Sequence, residues 1–107
     1  MAGSGNPLPP ADTTAPTTPT GLTVVAGTRS VRTSWSASGD DVGVIGYTVR
    51  RSTKSATSGF SQIATSTSTT WTDTGLRKGK RYWYGVRAVD AAGNASPWSS
   101  SVSAIAR

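Results

Sequence analysis

The alternation of side chains in residues 76–90 constrains the fold of this chain more than any other feature of the sequence. Tyr82, Tyr84, Val86 and Ala88 stand at every second position of this segment. A repeat of two places these side chains on one face and the residues between them on the other, as a β-strand does. The segment therefore predicts a strand with one buried face of aromatic and aliphatic residues.

The loop before this strand carries a second signal. Leu76 stands six residues before Tyr82, and Gly79 between them permits a tight loop. This spacing allows the tyrosine to fold back and hydrogen-bond the backbone upstream, the tyrosine corner of immunoglobulin-like sandwiches. We therefore expect a tyrosine corner at Tyr82.

Six more short segments alternate in the same way, and turn residues separate them. They are residues 22–24, 31–35, 47–49, 60–64, 70–72 and 102–105. Short strands at intervals of about 8–12 residues without helical periodicity favour an all-β fold. The predicted fold is an immunoglobulin-like two-sheet antiparallel sandwich of about seven strands. Thr33 is polar at an expected core position, so it should find a backbone partner.

The predicted core consists of the large apolar residues on the inward faces of these strands and in the loop before the corner. They are Trp35, Tyr47, Val49, Trp71, Leu76, Tyr82, Tyr84 and Val86. A chain of 107 residues buries roughly 60–65% of its unfolded surface, which suffices for one such core.

The amino-terminal residues differ from the rest in composition. Residues 3–20 hold five of the six prolines, mixed with threonine and glycine, and Leu8 is their one large apolar side chain. Such a segment buries too little to offset its ordering entropy. Residues 1–17 are therefore predicted to be a Pro/Thr-rich linker behind a cloning remnant, and residues 18–107 the domain. Alternatively, Pro16 and Pro19 already pack against the edge of the domain.

The composition argues against catalysis. The chain has no cysteine and no histidine, and its five acids are all aspartates. The usual general base, the usual zinc ligands and a thiolate nucleophile are therefore missing. No apolar run approaches the roughly 20 residues of a membrane helix. We expect no enzyme activity, no cofactor and no metal, although the net charge of +6 allows weak attraction to anionic surfaces.

The residues resemble a fibronectin type III domain from about residue 18 to the end. The resemblance rests on the segments Pro19-Thr20-Gly21-Leu22, Gly46-Tyr47-Thr48-Val49 and Ala91-Ala92-Gly93-Asn94, together with Trp35 and the corner residues. The amino-acid sequence is similar to that of copies of this domain in secreted bacterial glycoside hydrolases. The resemblance implies an extracellular, non-catalytic spacer module whose partners are the adjacent domains of the same chain. A monomer is expected, and neither nucleic acid nor membrane is an expected partner.

One face of the domain could bind a ligand. Trp83, Gly85 and Arg87 should share the outward face of their strand, with Arg50 on the neighbouring strand. A tryptophan beside a glycine can fold over the bare backbone, an arginine can stack on its ring, and Trp98 can join the same stack. Such a stack either stiffens the sheet or forms a platform for polysaccharide or a protein. The segment before the last strand also resembles half of the tryptophan–serine box of cytokine-receptor modules.

Two charged groups leave further alternatives open. The basic loop, Arg77, Lys78, Lys80 and Arg81, is either simply solvated or weakly attracted to anionic polymers. The acidic and amide residues of two turns either bond their own turns or contribute to a calcium site. These residues are Asp40, Asp41, Asp90 and Asn94. Residues 94–96 also fit the N-glycosylation pattern.

Overall fold

The computed structural model describes residues 14–39 and 43–107, and within them seven strands form two sheets. The strands are β1 Thr20–Gly27, β2 Ser30–Ser36, β3 Val44–Ser52, β4 Ser61–Ser66, β5 Thr70–Asp73, β6 Arg81–Asp90 and β7 Val102–Ile105. The described residues form no helix, and so none that could cross a membrane.

Every pairing within the two sheets is antiparallel. One sheet has the order β1-β2-β5, and the other has the order β4-β3-β6-β7. The long strands β3 and β6 form the centre of the larger sheet, with Val49 opposite Val86. The predicted two-sheet sandwich of about seven strands is therefore confirmed.

The core lies between the sheets, on the alternate residues that the sequence indicated. Of the eight residues predicted for the core, Trp71 is half-buried against it and the others are at most 5% exposed. The rings of Trp35 on β2 and Tyr47 on β3 meet edge to face, with centroids 5.4 Å apart. An edge-to-face pair is the favoured geometry for aromatic rings, and this pair joins one sheet to the other.

Thr33 has the backbone partner that its position requires. Its side chain is fully buried on β2, and its hydroxyl donates to the carbonyl of Trp71 on β5 at 2.7 Å. The bond satisfies a hydroxyl that would otherwise be costly to bury. The prediction of a backbone partner for Thr33 is confirmed.

The loop before β6 folds back over the tyrosine. The hydroxyl of Tyr82 accepts a hydrogen bond from the backbone N–H of Arg77 at 2.8 Å, and the ring is buried. Gly79 reverses the chain with a φ of 81°, a value at which a side chain is strained. Its N–H donates to the carbonyl of Ala106, which ties the loop to the end of β7.

The chain enters the sandwich at one pole. Pro16 and Pro19 are both buried. The N–H of Thr17 donates to the carbonyl of Gly39, and the N–H of Gly39 donates to the Thr17 hydroxyl, each at 2.9 Å. These contacts begin two residues before the predicted boundary at residue 18, as the alternative interpretation of the prolines anticipated.

The chain leaves the sandwich at the opposite pole. Arg107 donates its N–H to the carbonyl of Gly27 at the end of β1, and its own carbonyl accepts from Arg29 in the following turn. The two poles are separated by the length of β1, about 23 Å for eight residues.

Candidate functional surface on the larger sheet

Four side chains form a continuous stack on the outward face of the larger sheet. The guanidinium carbon of Arg50 lies 4.3 Å from the ring centroid of Phe60 and 4.5 Å from that of Trp98. The guanidinium carbon of Arg87 lies 4.5 Å from the Trp98 centroid. We call these four residues the arginine–aromatic stack. At these distances each arginine is attracted to the negative face of a ring.

Gly85 makes room for this stack. Arg50 on β3 lies opposite Gly85 on β6. A Cβ atom at residue 85 would come within 3.0 Å of Arg50 Nε and 3.4 Å of its Cγ. The arginine therefore occupies the space that any other residue at position 85 would fill.

The stack contains two like charges at close range. Burial lowers the pKa of Arg50, and the positive charge of Arg87 lowers it further. The aromatic rings between and beside the arginines offset part of this repulsion.

The observed contacts differ from the arrangement that the sequence allowed for Trp83. Trp83 lies half-buried on β6, but the atoms above Gly85 belong to Arg50, and the arginines stack on Trp98 and Phe60. The register explains the difference, because Trp83 pairs with Ser52 and so lies two pairs beyond the pair of Arg50 and Gly85. Phe60 was not expected in the stack because it lies just before β4, outside the alternating positions of a strand.

Two serines hold Trp98 in place against β6. The hydroxyl of Ser96 accepts from the N–H of Ala88 at 2.9 Å, and the hydroxyl of Ser99 accepts from the N–H of Val86 at 3.0 Å. The N–H groups of the same serines donate back to the carbonyls of Ala88 and Val86. The segment 96–99 thus continues the sheet beside β6 before β7 begins, and Trp98 reaches over the outward face from there.

A buried polar cluster that the sequence analysis missed joins the two sheets. Asp73 Oδ2 on β5 accepts from Arg51 Nη1 on β3 at 2.8 Å and from the Tyr84 hydroxyl on β6 at 2.7 Å. Asp73 is 4% exposed and Tyr84 is fully buried. Burial raises the pKa of the Tyr84 hydroxyl, and its bond to the Asp73 carboxylate raises it further. The cluster is structural, because the Asp73 carboxylate is buried and both of its partners are side chains of the larger sheet.

The residues considered for calcium stabilise a turn. Asp90 Oδ1 accepts from the N–H groups of Ala92 and Asn94 at 3.0 and 2.8 Å, and the Asn94 amide donates to Asp90 Oδ2. Of the two alternatives for these turns, the one in which Asp90 and Asn94 bond their own turn is confirmed. Asp40 and Asp41 lie outside the described residues. The described residues contain no group of three or more metal-ligating acids.

The family model of the fibronectin type III domain matches residues 17–105. Exoglucanase B of Cellulomonas fimi is 48% identical over 92 residues, covering 85% of this chain and 8% of that enzyme. Chitinase Chi52 of Paenibacillus xylanexedens is 46% identical over 103 residues, covering 94% of this chain and 18% of that enzyme. The chain thus spans less than a fifth of each of these relatives.

Solved structures show the same similarity in three dimensions. A crystal structure of an Fn3-like protein from Clostridium thermocellum aligns with a TM-score of 0.73 at 38% identity, covering 84% of this chain and 92% of that chain. A β-1,2-glucanase from Parabacteroides distasonis aligns with a TM-score of 0.75 at 27% identity, over 90% of this chain and 13% of that chain. With the match over residues 17–105 and the shared sandwich, the chain belongs to the fibronectin type III family.

Proposed function

We propose that this chain is a non-catalytic spacer module of an extracellular carbohydrate-active enzyme, which holds neighbouring domains apart. The observation that carries the proposal is that Thr17 and Arg107, near the two ends of the domain, lie at opposite poles. The backbone enters beside Gly39 at one pole and leaves beside Gly27 at the other. A domain attached at either end would therefore be held a sandwich length away from its neighbour, about 23 Å along β1 alone.

The relatives support the same role. They include an exoglucanase and several chitinases, of which this chain matches a small part. A domain that occurs inside such enzymes and brings no usual catalytic base of its own suits a connecting role. The same comparison supports the extracellular part of the proposal, because cellulose and chitin are insoluble and are degraded outside the cell.

The arginine–aromatic stack supports a spacer better than a sugar platform. Trp98 already has two guanidinium groups within 4.5 Å of its ring, so its π-face is engaged by the protein. A sugar would have to displace an arginine before it could stack on this tryptophan. Among the described residues, no contact favours the alternative that this domain binds a protein partner.

The spacer role can be tested in a fusion protein. The chain is placed between a cellulase catalytic domain and a cellulose-binding domain, and the matched control replaces it with a Gly/Ser linker of equal residue number. A Gly/Ser linker behaves as a flexible coil. We expect the control to lose activity on crystalline cellulose while its activity on a soluble substrate stays the same. Equal activity of both fusions on both substrates would contradict the proposal.

Pull-down of the isolated chain distinguishes the alternative function. A spacer should not be retained on cellulose, chitin or xylan. If the chain is retained, the variants Trp98→Ala and Trp83→Ala show where it binds. Loss of retention in Trp98→Ala, with retention unchanged in a folded Trp83→Ala, would instead establish a polysaccharide-binding surface on the stack.

A further inference from the structure

The pole at which the chain leaves the sandwich collects positive charge from three separate segments. The side chains concerned are all exposed: Arg29, Arg77, Lys78, Lys80, Arg81 and Arg107. Four of them belong to the basic loop, in which they lie close together in the sequence. The fold brings Arg29 and Arg107 to the same place, from positions about 50 residues before and about 25 residues after the loop.

Backbone hydrogen bonds fix this convergence. Arg29 accepts from the N–H of Leu76 and donates to the carbonyl of Arg107. The segment that follows β7 is joined to the loop by two hydrogen bonds, from Gly79 N–H to the carbonyl of Ala106 and from Ala106 N–H to the carbonyl of Lys80, at 2.8 and 3.1 Å. The three segments therefore form one surface, which we call the cationic pole.

Within the described residues, no exposed acidic side chain lies near the cationic pole to neutralise it. Asp73 is the nearest acid in the fold, but it is buried and already paired with Arg51. Asp90 lies at the other end of the ten-residue strand β6, about 30 Å away. Arg81 donates to a neutral group, the hydroxyl of Ser103, at 2.8 Å. Unneutralised like charges on one surface concentrate anions there.

We propose that the cationic pole binds linear anionic polysaccharides through their repeating carboxylate or sulfate groups. The inference does not rest on the spacer role. Glycine turns and backbone lie between the charges, and Ile105, opposite Arg81, is an exposed large apolar side chain beside them. One such side chain does not form the apolar centre that a folded protein partner needs. The ring nearest the loop, that of Tyr82, is buried. Every other aromatic side chain of the described residues is buried or half-buried. Single-stranded nucleic acid would need exposed rings for stacking.

Binding of polygalacturonate and of dextran sulfate to the chain tests the proposal and separates carboxylate from sulfate recognition. Neutral dextran serves as the uncharged control, and random-sequence DNA as the other polyanion. We expect amide shifts confined to residues 27–30, 76–81 and 105–107. The affinity should fall steeply between about 50 and 200 mM NaCl, because salt screens exposed charges.

Charge variants show whether the pole itself is responsible. Arg77→Glu with Lys78→Glu should weaken binding about tenfold or more. The matched control, Arg32→Glu with Lys54→Glu, makes the same change of charge at exposed residues outside the pole and should weaken it by about twofold or less.

A third variant tests the convergence of segments. Arg29→Asn with Arg107→Gln leaves the basic loop intact and should still weaken binding about threefold. Asparagine is chosen because Arg29 has a φ of 49°, which asparagine tolerates well. Equal losses in the pole and control variants would overturn the proposal, and so would tighter binding to DNA or no binding to either polysaccharide.

Discussion

Several buried hydrogen bonds of this domain each depend on a single side-chain hydroxyl group. Thr33, Tyr82 and Tyr84 are buried, and each hydroxyl has a partner at 2.7–2.8 Å. A buried polar group without a partner costs about 1–3 kcal/mol. Each of these bonds can therefore be tested by removing one oxygen.

Tyr82→Phe should lower the free energy of unfolding by about 1–3 kcal/mol, because it removes the acceptor for Arg77 N–H and leaves the ring in place. Chemical denaturation measures the change, and hydrogen exchange at the Arg77 amide should become faster. We propose that this bond acts as a tyrosine corner. Unchanged stability together with unchanged exchange at Arg77 would show that it does not.

Tyr84 should make stability depend on pH in the alkaline range. Its pKa is raised in the folded state, so its contribution is complete below the unfolded value of about 10 and is lost as the pH rises above it. The advantage of the native protein over Tyr84→Phe should be constant from pH 7 to 9 and then shrink, by up to about 1.4 kcal/mol per pH unit. A constant difference up to pH 11.5 would contradict the assignment.

At the scale of elements, the segment 96–99 is hydrogen-bonded along β6 without being a strand itself, which alternation does not reveal. Its serine hydroxyls accept from the N–H groups of β6, while its own backbone donates to the carbonyls of that strand. This pairing explains why Trp98 is held over the sheet although it belongs to no strand.

Ser99→Ala should lower the free energy of unfolding by about 1–3 kcal/mol, because the buried N–H of Val86 loses its acceptor. Ser100→Ala is the matched control, since that neighbouring serine is exposed, and it should change stability by less than about 0.5 kcal/mol. Denaturant titration of the three proteins gives the comparison. Equal stability of both variants would refute the role assigned to Ser99.

Gly85→Ala should disturb the arginine–aromatic stack without unfolding the domain. The new methyl group would displace Arg50, at a cost of about 1 kcal/mol in an off-rotamer side chain and weaker stacking. The Trp98 indole resonance should move. Gly39→Ala is the control, since a Cβ there meets nothing within 4 Å. An unmoved Trp98 resonance in Gly85→Ala would mean that Arg50 does not depend on this glycine.

At the scale of the whole molecule, the domain boundary can be located by truncation. A chain that starts at Thr14 should be as stable as the full chain. A chain that starts at Thr18 should lose about 1–2 kcal/mol, because it lacks the burial of Pro16 and the bonds between Thr17 and Gly39. Equal unfolding free energies for both truncations would return the boundary to residue 18.

The sequence by itself determined the strands and the side chains that fill the space between the sheets. Alternation with a period of two is a local property, and Tyr82, Tyr84 and Val86 display it without reference to the rest of the chain. The need of Thr33 for a partner follows from the same alternation, because a polar residue on an inward face must be satisfied.

Tertiary structure alone decided which distant residues meet. Asp73 joins Arg51 and Tyr84 because β5 and the larger sheet come together at one pole. Trp98 rather than Trp83 receives the arginines because the register of β3 and β6 sets the rows of the outward face. Side-chain period specifies the face of a residue, whereas its neighbours depend on strand order and register, which no local pattern encodes.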